Sequence, residues 1–252
     1  MGNIKADYKE EYNYKGYFSL QSYLSKEQVA QIVYHLDLYE KEPHEGMVRE
    51  VKSGELRAVH GPHLYDSFFK ELSQNRDIVA LAEEILGEPC YLHQFKINLK
   101  RRFSGEQWPW HEDFVYWHEK DGVKAPKLVN IVLFLDNTDM LSGPLCFIPF
   151  SHNSLWSYAS SANVEESDWM RDVSADLTYQ LDTEVVSKLI SKHGTEFQMG
   201  SPGDLLVFSP LLAHCSGNNM SPHHRRMLIL TFNAISNAPS KQNRPEFLCG
   251  RP

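Results

Sequence analysis

The chain has 252 residues and a mass of 29.1 kDa, long enough to bury roughly three quarters of its unfolded surface without disulfides or a structural metal. Its 25 Lys+Arg against 33 Asp+Glu leave a net charge of -8, which excludes the dominant basic face that a nucleic-acid binder needs. No apolar run approaches the ~18 residues of a membrane span, and Met1–Asp7 lacks the apolar stretch of a secretory signal. A cytoplasmic protein is expected, with Cys90, Cys146, Cys215 and Cys249 as reduced thiols, since no two form a Cys-x-x-Cys pair.

Helices are expected first. Ser25-Lys26-Glu27-Gln28 has the form of a capping box, and Val29, Ile32, Val33 and Leu36 follow at helical spacing. A second helix is predicted over Asn75–Leu86, with Ile78, Val79, Ala82, Ile85 and Leu86 inward and Gly87 ending it. A third spans Thr183–Lys192, with Gly194 just beyond. The rest reads as strands: Tyr91–Lys100, Leu128–Leu135, Leu145–Pro149, Asp204–Phe208 and Arg226–Asn233, separated by Gly, Pro and Asn turns. Helices followed by many short strands predict a mainly β fold with flanking helices, an antiparallel barrel or jelly roll.

Side chains alternate faces along a strand. In Tyr91–Lys100 one face collects Tyr91, His93, Phe95, Ile97 and Leu99, expected against the outer helices. The other collects Gln94, Lys96, Asn98 and Lys100, facing either solvent or a polar cavity.

Three residues carry the chemistry. His111-Glu112-Asp113 is a His-x-Asp. On extended chain, positions two apart point the same way, so an imidazole and a carboxylate converge while Glu112 faces away. His214, beyond the strand ending at Phe208, is the candidate third ligand that would complete a 2-His-1-carboxylate triad, the signature of non-haem Fe(II) oxygenases. Arg225 follows eleven residues later and suits the far carboxylate of 2-oxoglutarate. The spacing does not match the helical His-Glu-x-x-His of zinc peptidases. Two rivals share the fold: a zinc lyase or hydrolase in a cupin-like barrel, and a catalytically silent small-molecule binder. The first gives Arg225 no role, and the second has no need of all four residues.

Longer stretches carry a resemblance. They are Arg57-Ala58-Val59-His60-Gly61, His93-Gln94-Phe95-Lys96-Ile97-Asn98 with Lys100, Trp108–Asp113, Trp117 with Asp121-Gly122, Gly143-Pro144-Leu145 through Ser151-His152, His214-x-Ser216-Gly217, Asn219–His223 with Arg225, and Arg244-Pro245-Glu246-Phe247. From Arg57 onward the chain resembles the phytanoyl-CoA dioxygenase superfamily of Fe(II)/2-oxoglutarate-dependent oxygenases. Within it the match is to free amino-acid hydroxylases of the trans-4-proline and pipecolate type, and more distantly to ectoine hydroxylase. The resemblance implies a single domain with a double-stranded β-helix core at about 89–235, a helical part before it and a tail over 236–252. It implies iron on His111, Asp113 and His214, and 2-oxoglutarate on Arg225 with Lys100, Asn98 and Ser216 as helpers. Gln94, Trp117, Arg57, His60 and Arg244 are implied substrate residues, the arginines as partners for an amino-acid carboxylate. With O2 as the other cosubstrate, the implied reaction is C–H hydroxylation coupled to conversion of 2-oxoglutarate to succinate and CO2. Halogenating relatives lack the carboxylate ligand, so Asp113 favours hydroxylation, with desaturation or cyclisation as variants. A cyclic imino acid leads as substrate, ahead of an open-chain amino acid or ectoine.

Overall fold

The computed structural model describes residues 7–153, 158–160, 169–240 and 243–252. In chain order the helices and strands are α1 Asp7–Lys15, β1 Tyr17–Leu20, α2 Lys26–Tyr39, β2 Met47–Arg49, β3 Leu56–His60, α3 Ser67–Ser73, α4 Arg76–Leu86, β4 Cys90–Lys100, β5 Trp108–His111, α5 Phe114–Asp121, β6 Leu128–Phe134, β7 Leu145–Phe147, β8 Tyr158–Ser160, β9 Tyr179–Leu181, α6 Thr183–His193, β10 Glu196–Gln198, β11 Leu205–Phe208, β12 His214–Ser216 and β13 Arg225–Ala234. Seven strands form one sheet in the order β1-β11-β6-β13-β4-β3-β2, and four form a second in the order β10-β7-β12-β5. All their pairings are antiparallel. This is the expected jelly roll.

Alternation sorts each strand of the large sheet between two layers. Val129, Ile131 and Leu133 of β6, with Leu228, Leu230 and Phe232 of β13, meet α2, α3 and α4 in the largest apolar cluster. Val132, Phe134, Met227 and Ile229 face the other way, onto Leu145 and Phe147 of the small sheet. The site lies between the sheets, so polar residues among these inward positions are the ones that reach it.

The outer helices form where the capping signals put them. Ser25 and Gln28 close the predicted box reciprocally, and Val29, Ile32 and Leu36 are buried. Asn75 caps α4, and Gly87 ends it at φ 74°, a left-handed conformation that costs glycine little. Leu81 is buried on α4 in addition to the predicted Ile78 and Ala82.

Two expectations change. The first 88 residues are not only helical, because β1, β2 and β3 lie there and extend both edges of the large sheet. They are three to five residues long, too short for a periodicity signal. The face assignment of Tyr91–Lys100 holds only from Gln94 onward. The register of β4 on β13 slips between Gln94↔Thr231 and Leu92↔Phe232, a bulge that leaves His93 with no opposite residue. Beyond it Cys90 and Leu92 pack toward the helices. Tyr91 and His93 turn inward, where the Tyr91 hydroxyl oxygen accepts from Asn233 at 3.0 Å and His93 Nε2 lies 3.3 Å from Asp121.

Arg57 on β3 ties the N-terminal strands to the site. Its Nη1 lies 3.1 Å from both Glu50 carboxylate oxygens, Nε donates to Val173 O at 3.1 Å, and Nη2 donates to Gln107 O at 2.8 Å. The guanidinium also stacks 3.8 Å from the Trp108 ring. Both charges are buried, and a buried charge stripped of its partner is costly. Arg57→Leu should therefore lower stability in urea titration by ~3–5 kcal/mol, and the double variant with Glu50→Leu should recover most of it. Wild-type stability in the single variant would contradict this account of the pair.

Candidate active site

His111 ends β5 and His214 opens β12, and antiparallel pairing sets their Cα atoms opposite each other. The two rings lie 4.1 Å apart, centroid to centroid. Each ring is fixed by the same local device. His111 Nδ1 lies 2.6 Å from Pro109 O, and His214 Nδ1 lies 2.9 Å from Leu212 O. A carbonyl only accepts, so Nδ1 carries the proton and Nε2 presents a lone pair. Burial first, then the neighbouring His214, pushes His111 down to about 3. Burial likewise lowers His214. Both imidazoles are neutral at physiological pH, the form that ligates a metal.

Asp113 reaches the same point by a different backbone route from the one its spacing implied. The strand stops at His111, and Asp113 has helical φ/ψ of -77° and -32° at the head of α5. Its side chain makes no capping bond to its own helix. Its Oδ1 lies 3.9 Å from His111 Nε2 and 3.6 Å from Lys96 Nζ. Oδ2 accepts from Asn130 Nδ2 at 2.8 Å, and the Thr231 hydroxyl donates to Asn130 Oδ1 at 2.7 Å. That second bond fixes which end of the amide faces Asp113. Burial alone would raise the Asp113 carboxyl, but its surroundings, first among them the Lys96 ammonium and with the Asn130 hydrogen bond, hold it below the ordinary range. His111, Asp113 and His214 thus offer two neutral nitrogens and a carboxylate, all buried, with ligand atoms within 4.8 Å of one another. This donor set fits a non-haem iron.

The cavity around these donors divides the remaining sequence-predicted residues. Asn98, Ser216 and Arg225 line it together. Asn98 Oδ1, Ser216 Oγ and Arg225 Nε are buried there without a hydrogen-bond partner among the described residues. Arg225 is 1% exposed and spends Nη2 on Gly143 O at 2.9 Å. Burial, then Arg57, pushes it down to about 9, with only a distant offset from Asp136. A buried guanidinium beside unsatisfied polar atoms fits a carboxylate such as that of 2-oxoglutarate. Lys100 is not among the lining residues. Its ammonium donates to Glu106 O at 2.6 Å and Gly217 O at 2.5 Å, clamping two loops behind Arg225.

Gln94, Trp117, His60 and Arg244 also line the cavity. Gln94 Nε2 donates to Leu248 O at 2.9 Å, which ties the C-terminal segment to the wall. Arg244 meets Asp121 with two bonds of 2.7 Å. His60 is buried, neither ring nitrogen has a partner among the described residues, and burial, then Lys96, pushes it down to about 3. Arg57 lies outside the cavity lining, its guanidinium held by Glu50 and backbone carbonyls. Lys96, Asn130 and Asp172 were not singled out in the sequence. Lys96 had a signal, since it belongs to the polar face of β4, and Asn130 interrupts the apolar run Leu128–Phe134. Asp172 lies in a short 3-10 turn with no pattern around it.

His111→Ala, Asp113→Ala and His214→Ala should each lose iron in anaerobic equilibrium dialysis. Asn130→Ala, which frees Asp113 to rotate, should weaken iron binding by about 10–100-fold. Wild-type affinity in any ligand variant would rule out the assignment.

The family model for phytanoyl-CoA dioxygenase (PhyH) matches residues 12–227. The chain is 36% identical to L-proline trans-4-hydroxylase of Streptomyces griseoviridis over 247 residues, 97% of this chain and 92% of that protein. It is 28% identical to an ectoine dioxygenase of Streptomyces avermitilis, over 99% of this chain and 87% of that one. The crystal structure of EctD from S. alaskensis with 2-oxoglutarate and 5-hydroxyectoine superposes with a TM-score of 0.84 at 26% identity, over 98% of this chain and 84% of that one. The same protein with bound Fe gives 0.82 at 26% identity, over 99% and 84%. The chain belongs to the phytanoyl-CoA dioxygenase family and is a 2-oxoglutarate-dependent iron dioxygenase.

Proposed function

We propose that the chain hydroxylates a small free amino acid, with a cyclic imino acid of the L-proline or L-pipecolate type as the leading substrate. The observation that carries this reading is the lining of the one cavity around the three donors. It brings Arg225, Lys96, Arg244 and Asp172 together with the aromatic walls of Trp108, Tyr116 and Trp117. Such a chamber suits a compact, charged molecule. The likeness to L-proline trans-4-hydroxylase across almost the whole chain supports the same substrate class.

In this reading His111, Asp113 and His214 hold the iron, which with 2-oxoglutarate and O2 supplies the oxidant that places one oxygen on a substrate C–H. The protein's own work is placement and exclusion. Pro109 O and Leu212 O keep each Nε2 aimed at the metal position. Asn130 holds one carboxylate oxygen of Asp113 and leaves the other toward the imidazoles. Arg225 grips the far carboxylate of 2-oxoglutarate, with Asn98 and Ser216 beside it. Phe208 and Leu145 add apolar wall that keeps water from the reacting centre. The substrate carboxylate faces the cations Lys96 and Arg244, because these two line the cavity and Arg57 does not. None of the described helices is long and apolar enough to cross a membrane, and a cytoplasmic location agrees with four cysteines that form no disulfide.

Mass spectrometry on the Fe(II)-loaded protein tests the reading. The panel holds 2-oxoglutarate, O2, proline, pipecolate, open-chain amino acids and ectoine. An imino acid should gain a single oxygen with an equal amount of succinate. Ectoine or an open-chain amino acid as the sole oxidised component would overturn the imino-acid choice. Succinate without any oxidised amino acid would overturn the substrate class.

A further inference from the structure

The cavity is lined by poorly paired groups of both signs. Around Arg225, no carboxylate of the described residues lies within ion-pair distance. Around Asp172 the balance is reversed. Arg244 is the cation there, and it spends Nε and Nη2 on Asp121. Asp172 receives only the remaining Nη1, at 3.8 Å from Oδ2, too far for a hydrogen bond. Thr178 lies near enough to favour the ionised carboxylate. Asp172 is 6% exposed and lines the cavity, and its Oδ1 is buried without a hydrogen-bond partner among the described residues. Two carboxylates therefore share one guanidinium. Burial pushes the Asp172 carboxyl above its ordinary range despite Thr178, Arg244 and Lys120. Among the described residues, Lys120 acts on Asp172 only through its field, His60 is held neutral by burial, and Lys96 lies against Asp113.

A buried carboxylate oxygen with no donor is costly unless something brings one. A free amino acid carries such a donor in its protonated nitrogen. We propose that Asp172 recognises the cationic nitrogen of the substrate, accepting its N–H at Oδ1, and that it confines the enzyme to amino acids whose α-nitrogen is free and protonated. This rests on the amino-acid reading given above. It adds a negative pole to the cavity and leaves the substrate carboxylate to Lys96 and Arg244. A secondary ammonium, as in a cyclic imino acid, keeps the N–H bonds this needs. An N-acyl derivative or a ring-oxygen analogue does not.

The test compares the amino acid that the wild-type protein oxidises with its ring-oxygen analogue, which for proline is tetrahydrofuran-2-carboxylate. A polar site rejects an analogue that leaves its buried group unpaired, so wild type should favour the amino acid by at least ~100-fold in kcat/KM. Asp172→Asn should raise KM for the amino acid by at least ~10-fold and collapse that preference, while KM for 2-oxoglutarate stays as in wild type. Equal use of the two compounds by wild type would overturn the proposal, and this arm needs no variant to fold. An Asp172→Asn protein with unchanged amino-acid KM and unchanged preference would also overturn it. If wild type oxidises no amino acid, the amino-acid reading fails and the Asp172 assignment falls with it. Oxidation of an amino acid without discrimination removes only the assignment.

Discussion

A guanidinium taken out of water has to meet an anion, and at Arg225 the described protein supplies none within ion-pair distance. The residue opens β13 directly across from Lys100, another buried cation, on the inner face of the large sheet. Lys100 is satisfied by the carbonyls of Glu106 and Gly217, and Arg57 nearby is satisfied by Glu50. Arg225 has one carbonyl bond and an Nε with no hydrogen-bond partner among the described residues. Leaving a buried charge this poorly paired costs several kcal/mol. The surrounding structure is arranged so that a carboxylate ligand removes that cost. The three metal donors in the same cavity are ordered independently of it.

The donors are held by two kinds of support. For both histidines it is local: the carbonyl two residues earlier on the same stretch of chain takes Nδ1–H. Strand pairing then needs only to set His111 opposite His214. For Asp113 it is non-local. The residue sits at a strand-to-helix junction, where backbone N–H groups of Asp113 and Phe114 both reach Pro210 O. Its carboxylate is oriented from the large sheet by Asn130 and Thr231. One face of the jelly roll thus contributes two ligands, and the opposite face holds the third in place.

This contrast explains what was legible in the sequence. Local signals were read correctly: the Ser25 capping box and the Gly87 helix stop. Alternation also gathered the polar face of β4 from Gln94 to Lys100, but left open whether it met solvent or a cavity. The His-x-Asp motif pointed to the right convergence although its backbone is not extended at Asp113. Features set by distant partners were not legible. The bulge at His93 is defined only by the register against β13. The strand β3 exists because β4 offers it an edge, and β2 because β3 offers the next. Arg57 and Arg244 look alike in the sequence. Glu50 draws one into the scaffold, while Asp121 fixes the other along the cavity wall. Asp172 lies on a turn without periodicity, and its exposure to the cavity follows only from tertiary packing.

The central claim is that Arg225 is the anchor for the 2-oxoglutarate carboxylate, and thermal unfolding under anaerobic conditions tests it directly. A ligand at 100 times its Kd stabilises the native state by about 2.7 kcal/mol. With iron present, saturating 2-oxoglutarate should raise the Tm of the wild-type protein. The Arg225→Met variant removes the unpaired charge, so its Tm without 2-oxoglutarate should be at least that of wild type, and 2-oxoglutarate should shift it little. An equal 2-oxoglutarate shift in both proteins would contradict the account, because the carboxylate would then be held elsewhere.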